Sequence, residues 1–160
     1  MWKWFLVSLS VIILDQLTKG IASTQLTLFQ PVAIFPGFNF TLMHNQGAAF
    51  SFLSNAGGWQ RWFFTGLAII VSFAIIAWVT RLKPEEKWTA LSLTMILGGA
   101  LGNLIDRMRM GYVVDFIDVY YKTAHWPAFN IADSAITVGA TIMIIASLKT
   151  RNQKVSEKSD

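Results

Sequence analysis

Two carboxylates, Asp115 in Val113-Val114-Asp115-Phe116 and Asp133 in Phe129-Asn130-Ile131-Ala132-Asp133, stand 18 residues apart in a chain otherwise composed like a membrane protein. An ionisable side chain in or beside hydrocarbon is costly, and function is the usual reason for keeping it there. Two carboxylates that meet cannot both ionise cheaply, so a close pair shares a proton and can do acid/base work. The pair therefore points to general acid–base chemistry on a membrane-embedded substrate. The apolar neighbours of Asp115 predict a raised carboxyl pKa.

Other polar residues could support that pair or be purely structural. Asp133 precedes an apolar helix and could be its N-cap. Asp106 adjoins Arg107 and reads first as a local ion pair. Asp15 and Lys19, at i and i+4, could form another pair on one helix. Asp118, before Val119-Tyr120-Tyr121-Lys122, reads as interfacial. The polar amides Asn45, Asn103 and Asn130 accompany these carboxylates, Asn103 three residues before Asp106 and Asn130 three before Asp133. Asn103 falls inside an apolar run, where an amide needs a partner.

The elements that must position these residues are membrane helices. Of 160 residues, 54% are hydrophobic and 14% charged, with mean hydropathy +0.48; an ordinary soluble domain is about one quarter charged. Residues 62 to 79 and 88 to 105 each run 18 residues without a charge, near the minimum for a spanning helix. With the apolar first and last segments, the spacing predicts four transmembrane helices, at about 2–19, 61–80, 87–106 and 133–149. The first is read as an uncleaved helix, since Asp15 and Lys19 interrupt the exit a secretory signal would need.

With both termini in the cytoplasm, the inner side holds Lys3, Arg81, Lys83, Lys87, Lys149, Arg151, Lys154 and Lys158 against Lys19, Arg61, Arg107, Arg109 and Lys122 outside, in line with the positive-inside rule. The net charge of +4 then reports topology, and no nucleic-acid partner is expected. All seven Trp residues fall at predicted helix ends, the headgroup level that Trp prefers. Asp15, Asp106, Asp115, Asp118 and Asp133 all collect outside. The absence of Cys excludes disulfides and thiolate catalysis, and His44 and His125 are too few for a typical zinc site. No metal and no cofactor are expected.

Between the first two helices, alternation at Val32, Ile34, Phe38, Phe40 and Leu42, broken by Pro31, Pro36 and Gly37, predicts strands and a hairpin within about 28–55. This small extracytoplasmic sheet would lie on the membrane with its apolar face toward lipid or the helices. Residues 1–150 read as a single domain and 151–160 as a polar, disordered cytoplasmic tail.

Five motifs in order, Asp15-Gln16-Leu17-Thr18-Lys19, His44-Asn45-Gln46-Gly47-Ala48-Ala49-Phe50, Gly102-Asn103-Leu104-Ile105-Asp106-Arg107, Val113-Val114-Asp115-Phe116 and Phe129-Asn130-Ile131-Ala132-Asp133-Ser134, closely resemble those of lipoprotein signal peptidase, or signal peptidase II, the bacterial aspartyl peptidase family. The resemblance covers about residues 10 to 148. It implies Asp115 and Asp133 as the catalytic dyad, and four membrane helices with a small periplasmic sheet cradle. It also implies a site lined or supported by Asn45, Asn103, Arg107 and Asn130, with Asp15, Lys19 and Asp106 in supporting places. The implied substrate is a diacylglyceryl prolipoprotein in the bacterial inner membrane, cut before its lipidated Cys at the periplasmic face. Membrane lipid is the surrounding partner and a monomer the expected state.

Two other classes compete. Intramembrane carboxylates also build proton relays, so a small proton-coupled transporter or channel is the alternative; against it, nothing acidic continues across the second or fourth helix. A membrane scaffold with structural carboxylates is the third.

Overall fold

A computed structural model describes residues 1–47 and 59–156. A short turn of helix, Trp2–Trp4, leads into α1 (Phe5–Gln25), then β1 (Pro31–Phe35) and β2 (Phe38–Asn45), α2 (Trp59–Arg81), α3 (Lys87–Arg109), β3 (Val113–Tyr121), β4 (Ala124–His125) and α4 (Ile131–Ser156). The fold is mainly helical, and four helices are long and apolar enough to cross a membrane: Trp2–Gln25, Trp59–Arg81, Lys87–Arg109 and Ile131–Lys149. Of these α3 is the central one. It packs on the other three, and 56% of its apolar window is buried, against 17–22% for theirs.

Close approach to α3 is what its glycines permit. A Cβ at Gly99 would collide with the Ala132 main chain on α4, and one at Gly102 with the Asp15 carboxylate on α1. Small residues at such crossings let membrane helices gain dispersion contact, since lipid tails leave little hydrophobic drive between them. At one end of the bundle Ile75, Val79, Leu82, Ala90, Leu93 and Leu97 form an apolar core. The aspartates gather at the other.

The helices overrun the expected bounds, and this moves the charges. The sequence places Asp15 at the outer end of the first helix, but α1 continues to Gln25; α3 likewise passes Asp106 and ends at Arg109. Both carboxylates are therefore held inside helices, which is tolerable because each is ion-paired there. α4 runs through Ser156, so the stretch expected as a disordered tail is helical for its first six residues. Residues 149–156 contain no Gly or Pro to stop it.

The sheet is antiparallel, in the order β1-β2-β3-β4. A two-residue turn, Pro36–Gly37, joins the first two strands; Gly37 sits at φ +92°, where a side chain would be strained. The expectation of strands as far as residue 55 lies outside the described residues beyond 47. Half of the sheet has no counterpart in the alternation pattern. β3 and β4 come from residues that read only as a connection, because β3 is buried at each of its first four positions and so shows a continuous apolar run rather than alternation. β3 carries Asp115.

Candidate active site

Five elements bring the predicted residues together: α1 supplies Asp15 and Lys19, α3 supplies Asn103, Asp106 and Arg107, β2 and β3 supply Asn45 and Asp115, and the start of α4 supplies Asp133. Asn130 sits just before α4 and acts as its N-cap. Its Oδ1 accepts the Asp133 N–H at 2.9 Å, leaving Asp133 in the third helical position. The cap expected of Asp133 therefore belongs to Asn130.

Lys19 organises the site from below. Its ammonium has three donors, and all three are used: Asp15 Oδ2 at 2.8 Å, Asp106 Oδ2 at 2.9 Å and Asn103 Oδ1 at 2.9 Å. The i, i+4 pair of Asp15 and Lys19 forms as expected. Asp106 does not pair with its neighbour Arg107; its partner is Lys19, because packing of α1 on α3 brings the ammonium to the face that Asp106 shares. Gln16, a residue of the first motif not singled out from sequence, donates to Asp106 Oδ1 at 2.9 Å. Its only sequence signal is a second polar side chain beside Asp15 in an apolar helix.

The two supporting carboxylates also hold main chain. Asp106 Oδ2 accepts the N–H of Val114 at 3.2 Å, and Asp15 Oδ1 accepts the N–H of Ala132 at 2.9 Å. Val114 immediately precedes Asp115, and Ala132 immediately precedes Asp133. One buried lysine thus ties down the chain on the approach to each candidate catalytic aspartate.

Three carboxamides then face the pair, and each has its orientation imposed. Asn103 gives its oxygen to Lys19, so its Nδ2 donates to Asp133 Oδ1 at 2.8 Å. Asn130 gives its oxygen to the Asp133 N–H, so its Nδ2 reaches Asp115 Oδ1 at 2.6 Å and Asn103 Oδ1 at 3.3 Å. Asn45 accepts the Gly47 N–H at 2.9 Å and donates to Asp115 Oδ2 at 3.0 Å. Asp115 and Asp133 are therefore linked through Asn130 and Asn103. Among the described residues no donor reaches Asp133 Oδ2.

Asp115 is 2% exposed, and its carboxyl is pushed up to about 7. Burial is the main cause and the Asp133 charge the second, opposed by hydrogen bonds from Asn45 and Asn130 and by the Lys19 charge. The raised value agrees with the expectation from its apolar neighbours. Arg107 is buried beside this pair. Its Nη2 donates to Gly47 O at 3.0 Å, its guanidinium lies 5.4 Å over the Phe64 ring, and its Nε has no hydrogen-bond partner among the described residues.

Two grooves meet at Asp133. One, of about 380 Å³, lies among α2, α3 and α4 and is lined by Phe64, Leu67, Val71, Ile96, Asn103 and Arg107. The other, of about 390 Å³, lies between α4 and the segment Trp126–Phe129. Both are mostly apolar, with the carboxylate at their junction.

Asp118, expected to be interfacial, is buried within the sheet. It accepts hydrogen bonds from Asn39 at 3.1 Å and Thr41 at 3.0 Å, and pairs with His125 Nδ1 at 2.7 Å. Burial alone would raise its carboxyl; these bonds outweigh it and hold the group below the usual carboxylate range. It fastens β2, β3 and β4 together, away from the pair. His44 stacks on Tyr112 with ring centroids 4.0 Å apart, and burial pushes its imidazole pKa down. Among the described residues no group of three His, Cys, Asp or Glu side chains is arranged to hold a metal ion.

Comparison with known proteins gives the family and the fold. A family profile described as signal peptidase (SPase) II matches residues 7–149. The chain is 59% identical over 147 residues to a lipoprotein signal peptidase of Teredinibacter turnerae, covering 91% of this chain and 87% of the relative. It is 54% identical over 160 residues to one of Acinetobacter baylyi, covering 98% and 89%. A solved bacterial membrane enzyme superposes with a TM-score of 0.86 at 34% identity, covering 96% of this chain and 92% of the other. A matched profile over nearly the whole length, relatives above half identity and a shared fold lead to one conclusion: this chain belongs to the signal peptidase II family.

Proposed function

We propose that this multi-pass membrane protein is an intramembrane aspartyl endopeptidase that removes the signal peptide from diacylglyceryl-modified prolipoproteins, cutting before the lipidated Cys. The observation that carries the reading is the Asp115–Asp133 pair, joined through Asn130 and Asn103 at the junction of two apolar grooves. A proton relay would need acidic groups to continue through the bundle. Among the described residues the helices carry none beyond this end, and the transporter alternative finds no support in the family.

In the mechanism we propose, one aspartate of the pair takes a proton from water as the water oxygen attacks the scissile carbonyl. Its protonated partner donates to the carbonyl oxygen, and the pair then protonates the leaving amine as the C–N bond breaks. One proton is shared at the start and restored at the end. Asn103 and Asn130 hold both carboxylates in place; Arg107, on the wall of the α2–α3–α4 groove, is placed to contact substrate beside Asp133. The apolar groove suits the signal-peptide helix.

The protein would lie in the bacterial inner membrane with both termini cytoplasmic and the dyad toward the periplasmic face. Two observations strengthen that orientation: Lys19 and Arg107 are buried and so carry no weight as loop charges, leaving only Arg61, Arg109 and Lys122 on the outer side. Residues 1–150 act as one domain, and a single chain supplies every residue of the pair and its support, as suits a monomer.

The test is cleavage of a diacylglyceryl prolipoprotein by the purified protein, with the unlipidated precursor and a metal chelator as controls. Lipid-dependent, chelator-resistant cleavage is the expected result; an intact protein that cleaves neither precursor would return the carboxylates to a structural or transport role.

The pH profile gives a second check. The dyad works while it retains one proton, so kcat/KM falls as pH rises through the Asp115 value of about 7, losing about tenfold per unit beyond it. Asn45→Ala removes a hydrogen bond that favours the ionised form and moves this alkaline limb to higher pH. A limb that stays in place in Asn45→Ala, or is absent up to about pH 9, would contradict the assignment.

A further inference from the structure

Beyond the dyad, a cavity of about 300 Å³ opens between the first turn of α2 and the end of α3, lined by Gln46, Gln60, Trp62, Met110 and Tyr112. Gln60 is 1% exposed, and among the described residues its Oε1 has no hydrogen-bond partner. A buried carboxamide without partners is costly, and native structures nearly always satisfy such groups. The neighbouring Arg61 is already committed: it donates to Arg107 O at 2.9 Å and Met108 O at 3.1 Å, closing the end of α3 where Gly111 turns the chain at φ +86°. Gln60 thus brings to the cavity wall a buried carboxamide whose oxygen has no partner among the described residues.

The cavity lies just beyond the ends of β2 and β3, the strands that carry Asn45 and Asp115. Gln46 follows Asn45, whose amide holds Asp115, and Tyr112 stands three residues before Asp115, about 10 Å of extended chain. A peptide with its scissile bond at the dyad covers that distance in three residues. Along α2 the order is also informative: the apolar groove uses Phe64, Leu67 and Val71, whereas the cavity uses Gln60 and Trp62, nearer the start of the helix. A signal segment seated in the groove leaves the cavity to the chain on the far side of the cut.

We propose that this cavity is a subsite for the main chain of the substrate's mature segment, two to three residues past the lipidated Cys, with the Gln60 carboxamide pairing its peptide groups. A carboxamide can donate to a peptide carbonyl and accept from a peptide N–H, so the site reads backbone rather than one side chain. The inference rests on the peptidase reading above.

The experiment compares two diacylglyceryl substrates, one with six residues past the lipidated Cys and one ending there as an amide. For the wild type, kcat/KM favours the longer substrate by about tenfold, the worth of one or two hydrogen bonds; Gln60→Leu brings the ratio close to one. A ratio unchanged by Gln60→Leu overturns the proposal. A wild type that cleaves neither substrate overturns the peptidase reading instead.

A second measurement does not depend on how the Gln60 variant folds. Asp133→Asn protein is irradiated with a substrate carrying a benzophenone at the third residue past the Cys. Adducts on Trp62, Met110 or Tyr112 support the subsite. Adducts only elsewhere, as when lipid headgroups fill the cavity, overturn it.

Discussion

Asp115→Asn and Asp133→Asn are each expected to lower kcat/KM on the order of 10⁴-fold, the upper range for loss of general acid–base catalysis, in protein that still folds. Neither change removes a positive partner. The pair shares one proton and so carries one charge, and each variant leaves a single carboxylate, so the buried charge is unchanged and the fold should hold; thermal unfolding in detergent separates a loss of activity from unfolding. The two variants also differ in a useful way. Asp133→Asn removes the charge that helps to raise the Asp115 carboxyl, so Asp115 should titrate below the wild-type value of about 7, as read by carboxyl NMR or infrared spectroscopy. Burial, the main cause of the shift, remains, so the value stays above that of a free carboxylate. Turnover within about tenfold of wild type in either folded variant would end the dyad assignment.

Lys19→Met should produce the largest loss of stability. The ammonium meets Asp15, Asp106 and Asn103 within 2.9 Å, and it is 3% exposed. Methionine keeps much of the volume but leaves two buried carboxylates without a cation. Breaking a buried pair in this way costs about 3–5 kcal/mol. Activity should fall with it, because Asp15 and Asp106 anchor the main chain before each dyad aspartate and Asn103 is turned toward Asp133 by the same ammonium. Lys19→Arg should not restore the site, since a planar fork cannot replace a compact charge with three converging acceptors. Thermal unfolding in detergent checks the first claim: a Lys19→Met midpoint corresponding to less than about 1 kcal/mol of change would contradict the central role of this lysine. Adding Asp15→Asn to Lys19→Met should recover part of the loss, because one uncompensated charge is then removed.

Features set by short-range patterns are legible in the amino-acid order alone. Four spans follow from apolar runs long enough to cross hydrocarbon. The first hairpin follows from alternation ending at Pro36 and Gly37, and the Asp15–Lys19 pair from the four-residue repeat of a helix. Asp115 stands out because its neighbours offer a charge no water. The motif order points to the family, and with it to Asp133, Asn45, Asn103, Arg107 and Asn130 as members of one site.

Partner choice is a different matter. Asp106 has Arg107 beside it in sequence, yet it binds Lys19 from another helix, because adjacent residues on a helix point to different faces while Gly102 lets α1 and α3 pack closely. Asn130, not Asp133, caps α4, a distinction of three residues that hydropathy cannot resolve. β3 is hidden because a strand buried on both faces has no alternation to show, and the hydrogen bonds of Asp118 depend on strands brought together only by the sheet. The unsatisfied Gln60 is visible only once its surroundings are in place. Hydropathy and periodicity act between residues near one another in the chain, so the spans, the hairpin and the candidate dyad are legible in the amino-acid order. Which charges share a proton, an ammonium or a carboxamide depends on distances between segments far apart in the chain, and those only the tertiary packing decided.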